Sequence, residues 1–423
     1  MKRLKVLIAL FVLVVVAFGQ SVNVDRLERK AKRGNAEAQT ELGSCYYAGI
    51  GVAQSYKAAA YWLEKAAVQG NPSAQHILGC MYFQGEGVAK DRAKAVEWCT
   101  KAAEQGHDQA QYVLGYWAYT GALGKKDYTT AAYWLHKSAE QGYAPAQYYY
   151  GQLYYWGNGV AKDRETVARW WRKAAEQGYA DAQNDLGECY FYGDGVEEND
   201  AEAVAWWRKA GSQGHTKAIF HLGEAYEDGW GGLEKSFVKA MNCYMQAADK
   251  GSDIACLTVG GMFEYGENIK QNIGLAIKYY EMLLRLPDGA AETTPIFKEV
   301  GRNRLAAIYG LGKGDVKRDI PKAYELLKDH LDSDTEAQLI LGESYYQEGT
   351  SEAYSQAVKY LERASKSNAK DTAGAACFSL SKCYRFGRGV PQDIAKADAL
   401  QKEAMEKGWD EAKSLDDLLK GLR

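Results

Sequence analysis

A glycine returns every 36 residues through the first half of this chain, and this regular spacing constrains the fold more than any other feature. The six glycines are Gly43, Gly79, Gly115, Gly151, Gly187 and Gly223. A fixed period between about 20 and 50 residues is typical of repeat proteins, in which each unit packs only against its neighbours. We therefore expect an elongated array with a long surface for a partner. A pocket enzyme is the weaker interpretation.

The spacing divides the chain into successive segments. Residues 35–251 hold six regular repeats, and residues 252–334 hold two degenerate repeats separated by a proline-containing insertion at 286–303. Two further repeats follow at 335–408. Residues 20–34 and 409–423 are predicted to form an N-terminal and a C-terminal capping helix, because a repeat array needs polar ends. The chain is therefore predicted to contain about ten repeats.

The sequence pattern of each repeat predicts two antiparallel helices. In the first helix Ala38, Leu42 and Tyr46 are four residues apart and form a packing stripe. Gly43 interrupts this helix at a cost of about 1 kcal/mol, which a close approach of the second helix would explain. A Gly-x-Gly-Val loop follows, and an aspartate such as Asp91 is predicted to cap the second helix. That helix carries a tryptophan that we predict to lie in the core, at Trp62, Trp98, Trp134, Trp170 and Trp206.

The combined motif resembles a known repeat family. The string Ala-x-x-x-Leu-Gly-x-x-Tyr-x-x-Gly-x-Gly-Val-x-x-Asp-x-x-x-Ala-x-x-Trp-x-x-Lys-Ala-Ala-x-x-Gly is clearest between Ala74 and Gly106 and resembles the Sel1-like repeat, a relative of the tetratricopeptide repeat. The resemblance is strong over 35–251, good over 335–408 and poor over 252–334. It implies an all-α fold, a right-handed α-solenoid of antiparallel helix pairs. It also implies an adaptor that binds partners.

The first nineteen residues have the layout of a secretory signal peptide. Three basic residues within positions 2–5 precede the apolar run Val6–Phe18, and Ala17 and Gly19 supply small residues for cleavage. A run of this length is too short to span a bilayer comfortably. We expect an exported bacterial protein, periplasmic or secreted, with no membrane span in the mature chain. An uncleaved N-terminal anchor is the alternative.

The eight cysteines do not follow a disulfide ladder. Cys45, Cys189 and Cys383 occupy one repeat position that is apolar elsewhere, so they are predicted to be buried free thiols. Cys80 and Cys99 are the pair that can bridge the two helices of one repeat, and the sequence leaves open whether they do. No cysteine pair has the spacing of a zinc ribbon.

The sequence contains no recognisable motif for catalysis, a cofactor or a metal. Ser-x-x-Lys begins at Ser236, Ser367 and Ser379, but the Ser-Asp-Asn and Lys-Thr-Gly elements of a β-lactamase are missing. His215 and His221 are six residues apart and do not share a helical face, which disfavours a helix-borne metal pair. A net charge of −3 without a basic stripe disfavours nucleic acid. We therefore predict no enzyme activity, no cofactor and no bound metal, and a β-lactamase-like hydrolase ranks last.

We expect the partner to bind the face of the first helices that lies opposite the packing stripe, at positions −3, +1, +4 and +5 from the repeat glycine. In tetratricopeptide-like arrays this face lines the concave groove, and the resemblance implies the same here. The candidate aromatic residues are Tyr47, Phe83, Tyr112, Tyr116, Tyr119, Tyr148, Tyr155, Trp156, Phe191 and Tyr192, and the candidate acidic residues of the next repeat are Glu224, Glu227 and Asp228.

This face suggests a non-enzymatic scaffold for a protein or peptide, because tyrosine combines a large contact area with a hydrogen-bonding tip. An envelope glycan-binding module is the alternative, since sugar faces also stack on exposed rings. For the +4 rings there is a structural interpretation as well, in which they are buried beneath the glycine loop.

Overall fold

The computed structural model describes residues 24–266, 268–287, 294–409 and 413–420. Within these residues it contains 22 α-helices, one short 3₁₀-helix at Trp230–Gly232 and no β-strand. The prediction of an all-α repeat fold is confirmed. The predicted signal peptide at 1–19 lies outside the described residues, as do parts of the 286–303 insertion and of both predicted capping segments.

The helices group into two compact units that divide after Gln213. The helices of the first unit are α1 Val24–Lys32, α2 Ala36–Ala48, α3 Tyr56–Val68, α4 Pro72–Gln84, α5 Arg92–Glu104, α6 Asp108–Thr120, α7 Tyr128–Glu140, α8 Ala144–Trp156, α9 Arg164–Glu176, α10 Ala180–Tyr192 and α11 Asp200–Ser212. The helices of the second unit are α12 Thr216–Asp228, α13 Phe237–Asp249, α14 Asp253–Tyr265, α15 Ile273–Arg285, α16 Thr294–Leu311, α17 Ile320–Leu327, α18 Thr335–Glu348, α19 Ser351–Ala364, α20 Lys370–Phe386, α21 Ile394–Glu406 and α22 Leu415–Lys420.

Within each unit consecutive helices form hairpins. The two helices of a repeat pack against each other, and the second helix of one repeat packs on the first helix of the next. Five hairpins, α2/α3 to α10/α11, make up the first unit, and five more, α12/α13 to α20/α21, make up the second. The core of each unit therefore runs along the stack of hairpins, as in other repeat proteins.

Local sequence signals set the helix ends. The α4 helix ends at Gly85, whose left-handed φ of 80° lets its N–H bond back to the carbonyl of Met81. The α5 helix begins after Asp91, whose side chain accepts a hydrogen bond of 3.0 Å from the Lys94 N–H. Both ends repeat along the first unit, so every hairpin turns at an equivalent place.

The repeat glycine marks the closest approach of the two helices in a hairpin. A Cβ placed on Gly151 would lie 2.5 Å from Nε1 of Trp171 on the facing helix α9. Such a distance is far inside normal van der Waals contact, so a residue with a side chain would push the helices apart. The 36-residue glycine period is therefore explained by packing.

A ladder of glutamine pairs, each with one buried member, links successive repeats of the first unit. The Gln75 amide donates a 3.0 Å hydrogen bond to the carbonyl of Ala67 on α3, and its oxygen accepts a 2.7 Å bond from Gln105 at the end of α5. One side chain thus joins three helices, and both the nitrogen and the oxygen of its buried amide have a hydrogen-bond partner. The equivalent pairs are Gln39–Gln69, Gln75–Gln105, Gln111–Gln141, Gln147–Gln177 and Gln183–Gln213.

The repeat tryptophans of the second helices pack into the core, and a lysine lies over each ring. Trp62, Trp170 and Trp206 are buried, whereas Trp98 and Trp134 are half-buried. Each ring lies beneath the lysine three residues later; the ammonium of Lys209, for example, lies 3.6 Å from the ring centroid of Trp206. This contact gives the lysine of Lys-Ala-Ala a structural role, because its apolar stem and its ammonium cover the face of the tryptophan ring.

The second unit contains a buried charged cluster around Glu264 on α14. Its carboxylate accepts hydrogen bonds of 2.6 Å from the Tyr280 hydroxyl and 2.7 Å from the Lys313 ammonium, and Arg304 lies 3.5 Å away. The second nitrogen of the Arg304 guanidinium bonds to the carbonyl of Leu419 on α22. The cluster therefore links α14, α15, α16 and the C-terminal helix through one buried carboxylate.

Glu336, on the first turn of α18, should make the stability of the second unit depend on pH. Desolvation, and next the charge of Asp334, raise the pKa of Glu336 to about 7 from 4.5. A carboxyl group with a raised pKa stabilises the fold fully below its unfolded pKa, and this contribution is lost as the pH rises through about 7. We expect Glu336→Gln to be more stable than the wild type by about 3 kcal/mol at pH 8 and equally stable at about pH 3.5, by urea denaturation. A stability gain that is the same at both pH values would contradict this assignment.

Candidate functional site

The ten candidate aromatic residues on the first unit differ widely in exposure. Trp156 and Tyr192 are 56% and 70% exposed, and both occupy the +5 position, at the ends of α8 and α10. Tyr47 and Tyr112 are buried. The other six rings are half-buried: Phe83, Tyr116, Tyr119, Tyr148, Tyr155 and Phe191.

The buried rings belong to the packing between repeats. The Tyr47 hydroxyl donates a 2.7 Å hydrogen bond to Glu86 in the loop of the next repeat, and burial raises the pKa of Tyr47. Phe83, also at +4, stacks on Trp117 with ring centroids 4.5 Å apart. The Tyr112 ring lies 5.2 Å from that of Tyr143 in the next repeat. Tyr47 and Tyr112 are thus enclosed in the packing between repeats, as the structural interpretation of the +4 rings describes for Tyr47.

Three tyrosines form a cluster at the surface between α6 and α8. The ring of Tyr149 lies 5.0 Å from that of Tyr116 and 5.6 Å from that of Tyr119. Tyr149 occupies position −2 and was not among the candidate residues, although Tyr148, Tyr149 and Tyr150 form the only run of three tyrosines in the sequence. Its place between two candidate rings makes the cluster continuous.

Hydrogen bonds hold the exposed tryptophan in place. Trp156 donates a 3.0 Å bond to the Gln152 oxygen, and the Gln152 amide donates a 2.9 Å bond to the hydroxyl of Tyr148. The Tyr148 hydroxyl in turn donates to Asp185 on α10, at 2.8 Å. Burial, and next the charge of Asp185, raise the pKa of Tyr148, so it stays a neutral donor. This relay connects two neighbouring first helices and orients the Trp156 indole.

The remaining half-buried candidates support the exposed ones. Arg164 lies 3.7 Å over the Tyr155 ring and forms a 3.0 Å ion pair with Asp194. Phe191 packs against the buried Trp207, with centroids 5.6 Å apart, and against the neighbouring Tyr192 at 5.0 Å. Phe191 therefore supports the ring of Tyr192, most of whose surface faces solvent.

The three candidate acidic residues lie on α12 in the second unit. Glu227 is half-buried and accepts a 2.7 Å hydrogen bond from Tyr244, whose ring packs on the repeat glycine Gly223. Glu224 contacts His221 at 2.8 Å, and Asp228 is exposed. Glu227 therefore has a structural partner, because this repeat places a tyrosine where its neighbours in the first unit place tryptophan.

The Ser-x-x-Lys serines have structural contacts. Ser236 accepts a hydrogen bond from the Lys239 N–H as the N-cap of α13, at 3.4 Å. Ser367 bonds to Thr335 at 2.8 Å, and the buried Ser379 donates to Glu343. These contacts favour capping and packing roles for the three hydroxyl groups.

A bilayer-spanning segment is not found among the helices of the described residues, since none of them is both long enough and apolar enough.

The Sel1 repeat family model matches ten consecutive segments of the chain. The matched residues are 36–71, 72–107, 108–143, 144–179, 180–215, 216–252, 254–288, 300–328, 335–368 and 374–397. The matches extend through residues 254–328, where the sequence motif alone is poorly kept. The expected number of about ten repeats is confirmed.

Solved structures with the same kind of fold include two that are 30% or more identical to this chain in sequence. One is a protective antigen present in uropathogenic Escherichia coli strains that displays an SLR fold. It is 32% identical, with a TM-score of 0.68, over 92% of this chain and 80% of that chain. Another is a Sel1 repeat protein from Oxalobacter formigenes. It is 30% identical, with a TM-score of 0.54, over 61% of this chain and 99% of that chain.

The comparison with curated proteins returns no match. The ten matched repeats, the helical hairpins and the two similar structures together show that this chain belongs to the Sel1-like repeat family, whose fold is of the protein–protein interaction scaffold kind.

Proposed function

We propose that this protein is a non-enzymatic scaffold whose first unit binds a protein or peptide partner through an exposed aromatic surface. This surface, the ring face, consists of Tyr116, Tyr119, Tyr149, Trp156 and Tyr192. The observation that carries the proposal is the exposure of Trp156 and Tyr192 at equivalent positions of adjacent repeats. Contiguous exposed apolar patches mark interaction sites, and Trp and Tyr are enriched among the residues that dominate binding energy.

The ring face is held in a binding-ready arrangement. Trp156 is oriented by the relay through Gln152 and Tyr148, and Tyr192 rests on Phe191. Rings that are already ordered lose little conformational entropy when a partner binds, so more of their contact energy appears as affinity. This favours a rigid platform for an extended segment.

The polar groups beside the rings indicate the chemistry of the partner. Asp185 and Glu188 lie half-buried on α10, at positions −2 and +1, on the same side of the helix as the candidate face. Both are acceptors of hydrogen bonds from within the unit, Asp185 from Tyr148 and Glu188 from Asn184. Carboxylates beside aromatic rings complement a partner that carries apolar and basic side chains.

Removing the two exposed rings should abolish partner binding without destabilising the protein. We expect the double variant Trp156→Ala/Tyr192→Ala to lose at least about 100-fold in affinity, because central aromatic anchors contribute about 2 kcal/mol or more each. A photo-crosslinking amino acid at position 156 would first identify the partner by mass spectrometry. Calorimetry with the purified partner would then measure the loss.

The matched control removes similarly exposed rings from the second helices of two other repeats of the first unit. Tyr61 on α3 and Tyr133 on α7 are 52% and 54% exposed, each beneath a lysine of its own helix. The variant Tyr61→Ala/Tyr133→Ala is expected to keep full affinity. Equal binding by the ring-face variant and the wild type would refute the proposal, and capture of an oligosaccharide instead of a protein would favour the glycan alternative.

The proposed site of action is outside the cytoplasm. The basic start and short apolar run of residues 1–19 support export with cleavage after Gly19. Expression of the full chain in a bacterial host should yield a periplasmic or secreted protein whose mass matches a chain that begins at Gln20. An intact N-terminus in the membrane fraction would support the anchor instead.

A further inference from the structure

A histidine and two cysteines converge inside the second hairpin of the first unit. His76 and Cys80 lie one turn apart on α4, and Cys99 faces them from α5. Their exposures are 6%, 1% and 0%, so the three side chains are enclosed in the core of the hairpin. None of the three belongs to the ring face.

The donor atoms are arranged as around a small metal ion. The Nδ1 atom of His76 lies 4.0 Å from the Sγ atom of Cys80, and one donor atom from each of the three residues lies within 4.8 Å of the others. Around a tetrahedral zinc ion, with bonds of about 2.3 Å to sulfur and about 2.0 Å to nitrogen, neighbouring donor atoms lie about 3.5–3.8 Å apart. Side-chain rotation can shorten the distances between the donor atoms by up to about 1 Å. That change would bring all three donor atoms to bonding distance from one ion.

Charge neutrality favours a zinc ion at this buried site. A neutral imidazole and two thiolates carry a charge of −2, which Zn²⁺ cancels. A neutral complex avoids the large cost of burying an isolated charge. Thiolate sulfur and imidazole nitrogen are also the donors that zinc prefers over carboxylate-binding ions such as Mg²⁺ and Ca²⁺.

A second histidine supports the first without competing for the ion. The ring of His107 stacks on that of His76 with centroids 5.1 Å apart. Its Nδ1 accepts a hydrogen bond of 3.2 Å from the Ala110 N–H as the N-cap of α6, so its proton is on Nε2, which faces the Ser73 hydroxyl at 3.4 Å. His107 therefore has both ring nitrogens engaged and orients the His76 ring.

We propose that His76, Cys80 and Cys99 bind a zinc ion that pins the two helices of this hairpin together, with the fourth zinc position left for a water or another small ligand. No metal was predicted from the sequence, because it lacks a helix-borne histidine pair and zinc-ribbon cysteines. The i, i+4 spacing of His76 and Cys80 was the available signal, but Cys99 joins them only once the hairpin has formed.

The test uses the full chain, purified with a reductant that does not bind metal. We expect it to retain one zinc ion per chain in the presence of a weak chelator. Substitution of Co²⁺ should produce the thiolate-to-metal charge-transfer absorption of a tetrahedral cysteine site. Cys80→Ser and Cys99→Ser should each weaken zinc binding by roughly 100-fold or more and lower the charge-transfer absorption, because each removes one of the two thiolates.

The matched control is Cys189→Ser, which changes a cysteine that is equally buried in another hairpin. It should bind zinc like the wild type, and far-ultraviolet circular dichroism would show that each variant remains folded. The proposal is overturned if the reduced wild type takes up no more zinc than the Cys80→Ser/Cys99→Ser variant. It is also overturned if the chain, purified without reductant, contains a Cys80–Cys99 disulfide that persists when zinc is supplied under reducing conditions.

Discussion

Gly87→Ala is expected to destabilise the first unit by about 3 kcal/mol or more. Gly87 is the second glycine of its loop and has a φ of 73°, which a side chain strongly disfavours. A Cβ at this position would overlap the main-chain carbonyl of Tyr56 and lie 2.9 Å from the nitrogen of Lys57, at the start of α3. Main chain at a helix end has little room to move, so the overlap adds to the cost of the left-handed conformation. Urea denaturation monitored by circular dichroism would measure the loss.

Gly106 provides a control with the same backbone conformation but free space. Its φ is 88°, and apart from its chain neighbours no atom of the described residues lies within 4 Å of the position its Cβ would occupy. Gly106→Ala should therefore cost only about 1 kcal/mol, the conformational part alone. If both variants lost the same stability, the contact with Tyr56 would have no role, and the loop glycine would be required for its backbone angle only.

Glu264→Gln is expected to destabilise the second unit by about 3–5 kcal/mol. The substitution keeps the size of the side chain but removes the negative charge that Lys313 and Arg304 face in the interior. Buried cations without a counter-charge are costly, and breaking a buried ion pair from one side costs more than the pair itself contributes. Urea denaturation would measure the free energy of unfolding. Hydrogen exchange would give a second readout, because the C-terminal helix should exchange faster when its contact with Arg304 is lost.

Glu227→Gln is the matched control for this result. Glu227 occupies the same +4 position one repeat earlier and accepts the same kind of bond, from Tyr244. It is only half-buried, so we expect its substitution to cost about 1 kcal/mol. A comparable loss in both variants would mean that the tyrosine bond, not the buried cations, accounts for the effect of Glu264.

The repeat architecture could be predicted from the sequence because its signals are local and recur. The period, the loop glycines and the aspartate N-caps each act within one hairpin, and repetition makes each signal visible many times. The glutamine ladder was equally regular, since its members are thirty residues apart in every repeat. Its role was not predicted, because the motif does not show that the Gln75 side chain bonds to the main-chain carbonyl of Ala67 in the preceding repeat.

The candidate surface was predicted less completely. Position +4 holds Tyr47 under a loop glutamate, Phe83 on Trp117, and Glu264 among buried cations. These residues share one helical face, but their exposure depends on the side chain that the neighbouring helix places opposite them. Helical periodicity defines the direction of a side chain and carries no information about what covers it.

The sequence by itself determined that this chain folds into helical hairpins, where each hairpin turns and in which order they stack, because caps, glycines and apolar stripes act over short stretches of chain. Only the tertiary structure decided which rings reach solvent, which carboxylate is buried with cations and which cysteine meets His76. These outcomes depend on contacts between residues that lie 16 to 49 positions apart, such as Tyr280 and Lys313 on Glu264. Such contacts exist only after the helices have packed.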